Sequence, residues 1–354
     1  MAYTTIDDSS VYFQTALYTG NGGTQSITND GNSDLQPDWI WIKTRSDATY
    51  HSLSDSVLGT DVQLGINDSN AADAFNIAVT AFNSDGFSLG SNGNTNTSSR
   101  TFAAWQWKAG TSFTNDASST GVGTIDSTGS TSATSRFSIV KYTSTGSTGT
   151  VAHNLGVTPN FIVIKRLEDS GYDWTVYHTN KTAGLYFNTT DYNADSSSAN
   201  IFGRSPTSTV FSVTADGRVG GNTTGKTYIA YCFADVKGFS KFGSYTGNGN
   251  ANGQFVYTGF KPAFVIGKRT DATNNWYMYD NKRDTFNPTT QKLRANTTAA
   301  EATGTDKLID MLSNGFKMRS TDAEFNASGG TYIYLAFAEN PFVTGASAIP
   351  THAR

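Results

Sequence analysis

The sequence predicts an all-β protein of tandem β-sandwich domains, and three observations carry the prediction. Short runs of Val, Ile, Phe, Tyr and Trp alternate with stretches of Gly, Asn, Ser and Thr along 354 residues, 35 of them glycine. β-Branched and aromatic residues suit a pleated, half-buried surface, and Gly and Asn supply turn conformations. Strong helical periodicity is absent. Five phrases also recur three times in one order, at a spacing the size of a whole domain rather than of a solenoid repeat.

In chain order, residues 1–16 come first. They carry Tyr3, Ile6, Val11, Tyr12 and Phe13 and read as an apolar N-terminal arm, either an attachment segment or an extra edge strand. The first unit, 17–110, opens with "LYTGNG" at Leu17. It runs through "PDWIWIK" (Pro37 to Lys43), "YHSLSDS" from Tyr50, "FNSDGFSLG" from Phe82 and "TFAAWQWKAG" from Thr101. Residues 111–136 are dominated by Ser, Thr and Gly and read as a flexible linker.

The second unit, 137–240, repeats the series as "KYTSTG" at Lys141, "PNFIVIKR" at Pro159, "YDWTVYHT" at Tyr172, "FSVTADGRVG" at Phe211 and "TYIAYCFADVKG" at Thr227. The third, 241–345, has "SYTGNG" at Ser244, "PAFVIGKR" at Pro262, "NNWYMYDN" at Asn274, "LSNGFKMRS" at Leu312 and "TYIYLAFAENPF" at Thr331. A tail, 346–354, closes the chain.

Within each unit the proline phrase has apolar residues on both faces. That predicts a central strand covered on both sides and places Trp39 and Trp41 in a core. The lysine that follows is expected where the strand emerges into solvent. Asp85, Asp216 and Asn314, each before a glycine, read as hairpin-turn residues. Two stretches, "SNAADAFNIAVTAF" from Ser69 and "TTAAEATGTDKLIDML" from Thr297, are candidates for a short helix or turn.

Chemistry is sparse. A net charge of −4 argues against nucleic-acid binding. A single cysteine, Cys232, excludes an intrachain disulfide and a thiolate zinc site, and its apolar neighbours predict burial. His51, His153, His178 and His352 are scattered without metal-ligand spacing. Glu168, Glu301, Glu324 and Glu339 form no recurring carboxylate pair, and no phosphate or dinucleotide loop is present. "NDGNSD", Asn29 to Asp34, reads as a turn rather than a calcium loop because it lacks a bidentate Glu. The expectation is a protein that is not an enzyme, with no catalytic, cofactor or metal residues. No apolar run is long enough to span a membrane, and the start "MAYTTIDD" has no secretory pattern. The candidate surface-binding aromatics are Tyr172 and Trp174 in the second unit, and Trp276 and Tyr277 in the third.

Several phrases also carry a resemblance. "YFQTALYTGNGGTQSI", "QPDWIWIKTRS", "GFSKFGSYTGNGNANGQFVYTGFKPAFV" and "NASGGTYIYLAFAENPFV" resemble virion structural and tail-fibre proteins of marine tailed bacteriophages, especially those of cyanobacteria. The resemblance extends over essentially the whole chain. It implies jelly-roll or concanavalin-like sandwiches and a place on the virion, with the tail favoured over the capsid surface. The implied partners are other virion proteins, further copies of the chain (a homotrimer favoured) and a host surface glycan. It carries no catalytic motif. The alternative role is capsid decoration or a head fibre, with glycan hydrolysis behind both.

Overall fold

The computed structural model describes residues 3–60, 62–74, 77–194 and 201–344. Twelve strands, four from each unit, carry the architecture. From the first unit they are β1 (Phe13–Thr19), β2 (Trp39–Thr44), β3 (Ser52–Asp55) and β4 (Thr101–Trp107). The second gives β5 (Phe137–Thr145), β6 (Phe161–Arg166), β7 (Thr175–His178) and β8 (Thr224–Phe233). The third gives β9 (Ser240–Thr246), β10 (Phe260–Arg269), β11 (Trp276–Asp280) and β12 (Thr331–Pro341).

The three large sheets share one strand order. It is β1-β4-β2-β3 in the first, β5-β8-β6-β7 in the second and β9-β12-β10-β11 in the third, antiparallel throughout. The registers agree as well: Trp39 faces Trp107, Phe161 faces Phe233 and Phe264 faces Phe337. A small sheet covers one face of each large one. Residues 25–27, 79–82 and 87–89 serve the first, 149–152 and 210–213 the second, and 255–257, 309–312 and 315–318 the third. The fold is an all-β assembly of sandwiches.

Alternation along the central strands explains the layering. In β2, Ile40 and Ile42 point to the small sheet and pack with Ile27, Val79, Phe87 and Leu89. Trp39 and Trp41 point the other way, into a cluster that draws on all three units. There Trp39 meets Trp107 at 4.5 Å and Tyr231 of the second unit at 4.8 Å, and Phe233 meets Phe337 at 5.8 Å. Each fully buried large side chain contributes about 1.5–3 kcal/mol by leaving water. The units are therefore not beads on a string; their large sheets face one another across a shared aromatic core.

Four expectations are corrected. The arm ends earlier than 16, because Phe13 to Ala16 already lie in β1. Residues 3–12 are a strap with a single 3-10 turn at Ser9–Val11, and its Ile6 and Tyr12 pack on the shared core. Residues 111–136 are not a loose linker, since strands 111–115 and 127–132 pair with each other and then with β5, widening the second sheet. Threonine and serine side chains there bury against the sheet while the backbone supplies the ladder.

The two helix candidates hold strand segments instead, at 73–74, 79–82, 302–303 and 309–312. Finally, the lysines after the central strands do not emerge into solvent. Lys43, Lys165 and Lys268 are at most 1% exposed. Of the hairpin glycines only Gly86 takes positive φ (93°), and a Cβ there would lie 2.0 Å from the Ile27 carbonyl. Cys232 is buried and free. The tail with His352 lies outside the described residues.

Candidate functional site

The aromatics read as a binding surface are not one. Trp174, Trp276 and Tyr277 are 0–1% exposed, so no ligand reaches them. Trp174, just before β7, and Trp276, the first residue of β11, turn toward the neighbouring units, whereas Tyr277 turns to the other face and stacks on Phe325 at 3.8 Å. Tyr172 is half-buried, with the Arg166 guanidinium 4.1 Å above its ring.

These positions are fasteners between units. Trp174 Nε1 donates to the Gly65 carbonyl of the first unit (2.8 Å), and Trp276 Nε1 donates to Tyr186 O of the second (2.9 Å). His51, at the matching place before β3, reaches Arg294 O of the third (3.1 Å). A second set sits at the ends of β3, β7 and β11. Asp55 accepts from Tyr231 of the second unit (2.7 Å), His178 meets Tyr334 O of the third (3.4 Å), and Asp280 accepts from Trp105 Nε1 of the first (3.0 Å). Both sets run around the three units and close into rings.

The ionisable members are tuned accordingly. In His51, His153 and His178, Nδ1 accepts from Trp41 Nε1, Leu155 N and Asn180 N respectively. Each ring therefore carries its proton on Nε2, which donates to a carbonyl. Burial pushes His153 and His178 down to about 4 and His51 well below its usual value. Burial likewise lowers Lys43 and Lys165 to about 8 and Lys268 to about 7. Carbonyl oxygens offset part of that cost: Lys43 reaches Thr298 O (3.2 Å), Lys165 Tyr172 O (2.7 Å) and Lys268 Thr190 O (2.8 Å). Asp55 is raised to about 6 by burial, against the hydrogen bond from Tyr231.

An accessible site lies elsewhere, where the first and third units meet. A polar cleft of about 430 Å³ opens between the strap, β1, the 30–32 loop and the 281–285 loop that follows β11. Asp8 builds one wall. Its Oδ1 accepts from Ser10 N (2.9 Å) and its Oδ2 from Ser33 Oγ (2.7 Å). Burial would raise this carboxyl, yet those hydrogen bonds hold it below the usual range.

Gln14 fixes the neighbouring loop. Its Nε2 donates to Ser10 O and Ser33 O, and its Oε1 accepts from Gly31 N. Across the mouth Lys282 pairs with Asp30 at 2.8 Å, and behind it Asn281 donates to Glu339 Oε2 at 2.6 Å. Ser9 and Thr15 also line the cleft, with hydroxyls that are buried from solvent and have no hydrogen-bond partner. Phe286, next in the chain to the lining residue Thr285, is 79% exposed.

The sequence gives no sign that these residues meet: Asp8, Gln14 and Lys282 lie outside the recurring phrases, Asn281 ends one and Glu339 lies near the end of another, and Asp30 and Ser33 read as part of a turn. The nearest signal is a difference in length. β11 and the next strand, at 291, are joined by ten residues, 281–290, where the second unit turns between His178 and Lys181 with two. Among the described residues no group of three or more His, Cys, Asp or Glu could hold a metal ion. No helix among them is long and apolar enough to cross a membrane.

A family model described as a domain of unknown function, DUF7483, matches residues 8–341. The chain belongs to the DUF7483 family. The match runs unbroken through all three large sheets, from the strap to the end of β12. Neither a curated protein nor a solved structure matches the chain.

Proposed function

We propose that this chain is a structural protein of a bacteriophage particle, a tail-associated fibre or receptor-binding component that meets the host surface and is not an enzyme. The observation that carries the reading is the pair of hydrogen-bond rings. Buried groups that elsewhere serve as acids, bases or ligands are here fasteners: His51 and His178 bridge units, and Asp55 and Asp280 take donors from the next. A rigid β-scaffold with its polar loops outward suits an exposed particle component. The phage assignment draws its support from the resemblance of the phrases quoted above. The partners in this reading are other virion proteins and further copies of the chain as a homotrimer, with a host glycan as the surface ligand. We read the three units as copies of one sandwich, supported by their common strand order and register.

A second role, capsid decoration, is favoured by one feature: the described residues close into a ring with no elongated shaft. Gold-labelled antibody against this chain on intact virions separates the roles. Label at the tail is the result expected. Label over the head replaces attachment with decoration, and unlabelled particles overturn the virion assignment.

A further inference from the structure

We propose that the side chains of Lys261 and Asn281 join in an amide bond, with Glu339 as the proton relay that forms it, so that the third unit covalently fastens its own large sheet. The proposal goes beyond the virion reading and does not rest on it.

Three observations lead there. First, adjacent strands bring an amine, an amide and a carboxylate together. Lys261 lies in β10, Glu339 lies in β12 on one side of it, and Asn281 follows β11 on the other. Lys261 Nζ is 2.5 Å from Glu339 Oε2, and Asn281 Nδ2 donates to that same oxygen at 2.6 Å. The nucleophile and the group it would displace therefore share one proton acceptor, within the reach that proton transfer requires.

Second, the spot is sheltered. Lys261 is 4% exposed. With Asn281 and Met311 it lines a void of about 10 Å³, the room a water-sized molecule such as ammonia needs. Reactants held in place turn a bimolecular step into a unimolecular one, and that is how an amide, a weak electrophile, can react without an outside catalyst.

Third, the scaffold does not require these side chains. Counted from the matching residues Trp39, Phe161 and Phe264 and their partners, the same three positions hold Gln36, Ser56 and Ala109 in the first unit. In the second they hold Thr158, Thr179 and Asp235. The backbone contact there is nevertheless kept: Ser56 N donates to Asp38 O, Thr179 N to Asn160 O and Asn281 N to Ala263 O. At these positions only the third unit sets an amine beside an amide and a carboxylate.

The step balances within the chain. Glu339 takes a proton from the Lys261 ammonium, and the freed lone pair on Nζ attacks Asn281 Cγ. A bond from Nζ to Cγ forms and the Cγ–Nδ2 bond breaks. Glu339 passes to Nδ2 both protons that Lys261 gives up, so the nitrogen leaves as ammonium and the carboxylate is restored. Nothing is oxidised or reduced.

The test is intact-mass spectrometry of the purified full-length chain, followed by tryptic peptide mapping. The parent should be lighter than its sequence by one ammonia, with one species joining the peptide of Lys261 to that of Asn281. Glu339→Gln and Lys261→Arg should each show no ammonia loss and no joined peptide. Lys282→Ala, next in the chain but paired with Asp30 outside the triad, should stay fully linked. The mass of the parent itself decides, so the test does not depend on how well a variant folds. A parent at the full sequence mass overturns the proposal, and so does an ammonia loss that maps to any other residue. Linkage of Glu339→Gln to the same extent as the parent would overturn the relay.

Discussion

Replacing Asp280 by alanine should open the seam between the first and third units. Its carboxylate and the Arg283 guanidinium are both fully buried. Oδ2 accepts from Arg283 Nε at 2.5 Å and from Trp105 Nε1 at 3.0 Å, and Oδ1 accepts from Arg283 N at 2.8 Å. Arg283 continues to Glu301 (3.0 Å), which holds Arg45 of the first unit (2.8 Å). Removing one member of a buried ion pair costs about 3–5 kcal/mol, because the other charge stays behind without its partner. The stranded Trp105 N–H adds about 1–3 kcal/mol.

The two terms share one site and do not simply add, so a loss of about 4–6 kcal/mol is expected. The assay is urea unfolding followed by the fluorescence of the six tryptophans, all buried in the one large aromatic cluster. The double variant Asp280→Leu with Arg283→Met removes both charges and should recover most of the loss, as a buried pair is replaceable by apolar residues of similar volume. A single variant within about 1 kcal/mol of the parent, the scatter of surface substitutions, would refute the reasoning.

Other outcomes follow from the same contacts. Trp276→Phe and Trp174→Phe each strip the donor from a buried carbonyl, at Tyr186 and Gly65, and should each cost about 1–3 kcal/mol in the same assay. Equal stability of either variant and parent would contradict the ring. Stability should rise with pH from about 7 to 9, where the unfolded chain keeps lysine protons that folded Lys43, Lys165 and Lys268 have begun to release; above that range buried Cys232 and the buried tyrosines, whose values are raised, work the other way. A urea midpoint flat across that window would show the lysines unperturbed. Acid should destabilise: between about pH 6.5 and 4 the unfolded histidines take up protons that folded His153, His178 and His51 refuse, outweighing Asp55, which works the other way. Histidine NMR titrations check this directly, and an imidazole titrating near 6.5 for any of the three would contradict the lowering by burial.

The strands were largely legible because their signal is local. "PDWIWIK" announces a strand covered on both faces, and Trp39, Ile40, Trp41 and Ile42 are each at most 5% exposed. Sequence could not say that the two faces meet different neighbours, one a small sheet and the other two further units. Lys43 shows the cost. A lysine at a strand end is ordinarily solvated, and this one is buried because Thr298, some 255 residues away, supplies a carbonyl. The 127–132 segment failed differently: its Ser and Thr composition suggests a flexible chain, whereas its backbone pairs along the edge of β5. The cleft was the least legible feature. Asp30 and Lys282 are 252 residues apart, both are ordinary surface residues in sequence, and only the closing of the first unit on the third brings them together.

The account stands or falls on the three units acting as one body around a shared core. Differential scanning calorimetry of the full-length chain tests this most directly, through the ratio of van't Hoff to calorimetric enthalpy. A shared aromatic core closed by two hydrogen-bond rings predicts one transition with a ratio near unity. Separate transitions, or a ratio near one third, would mean three sandwiches that melt independently.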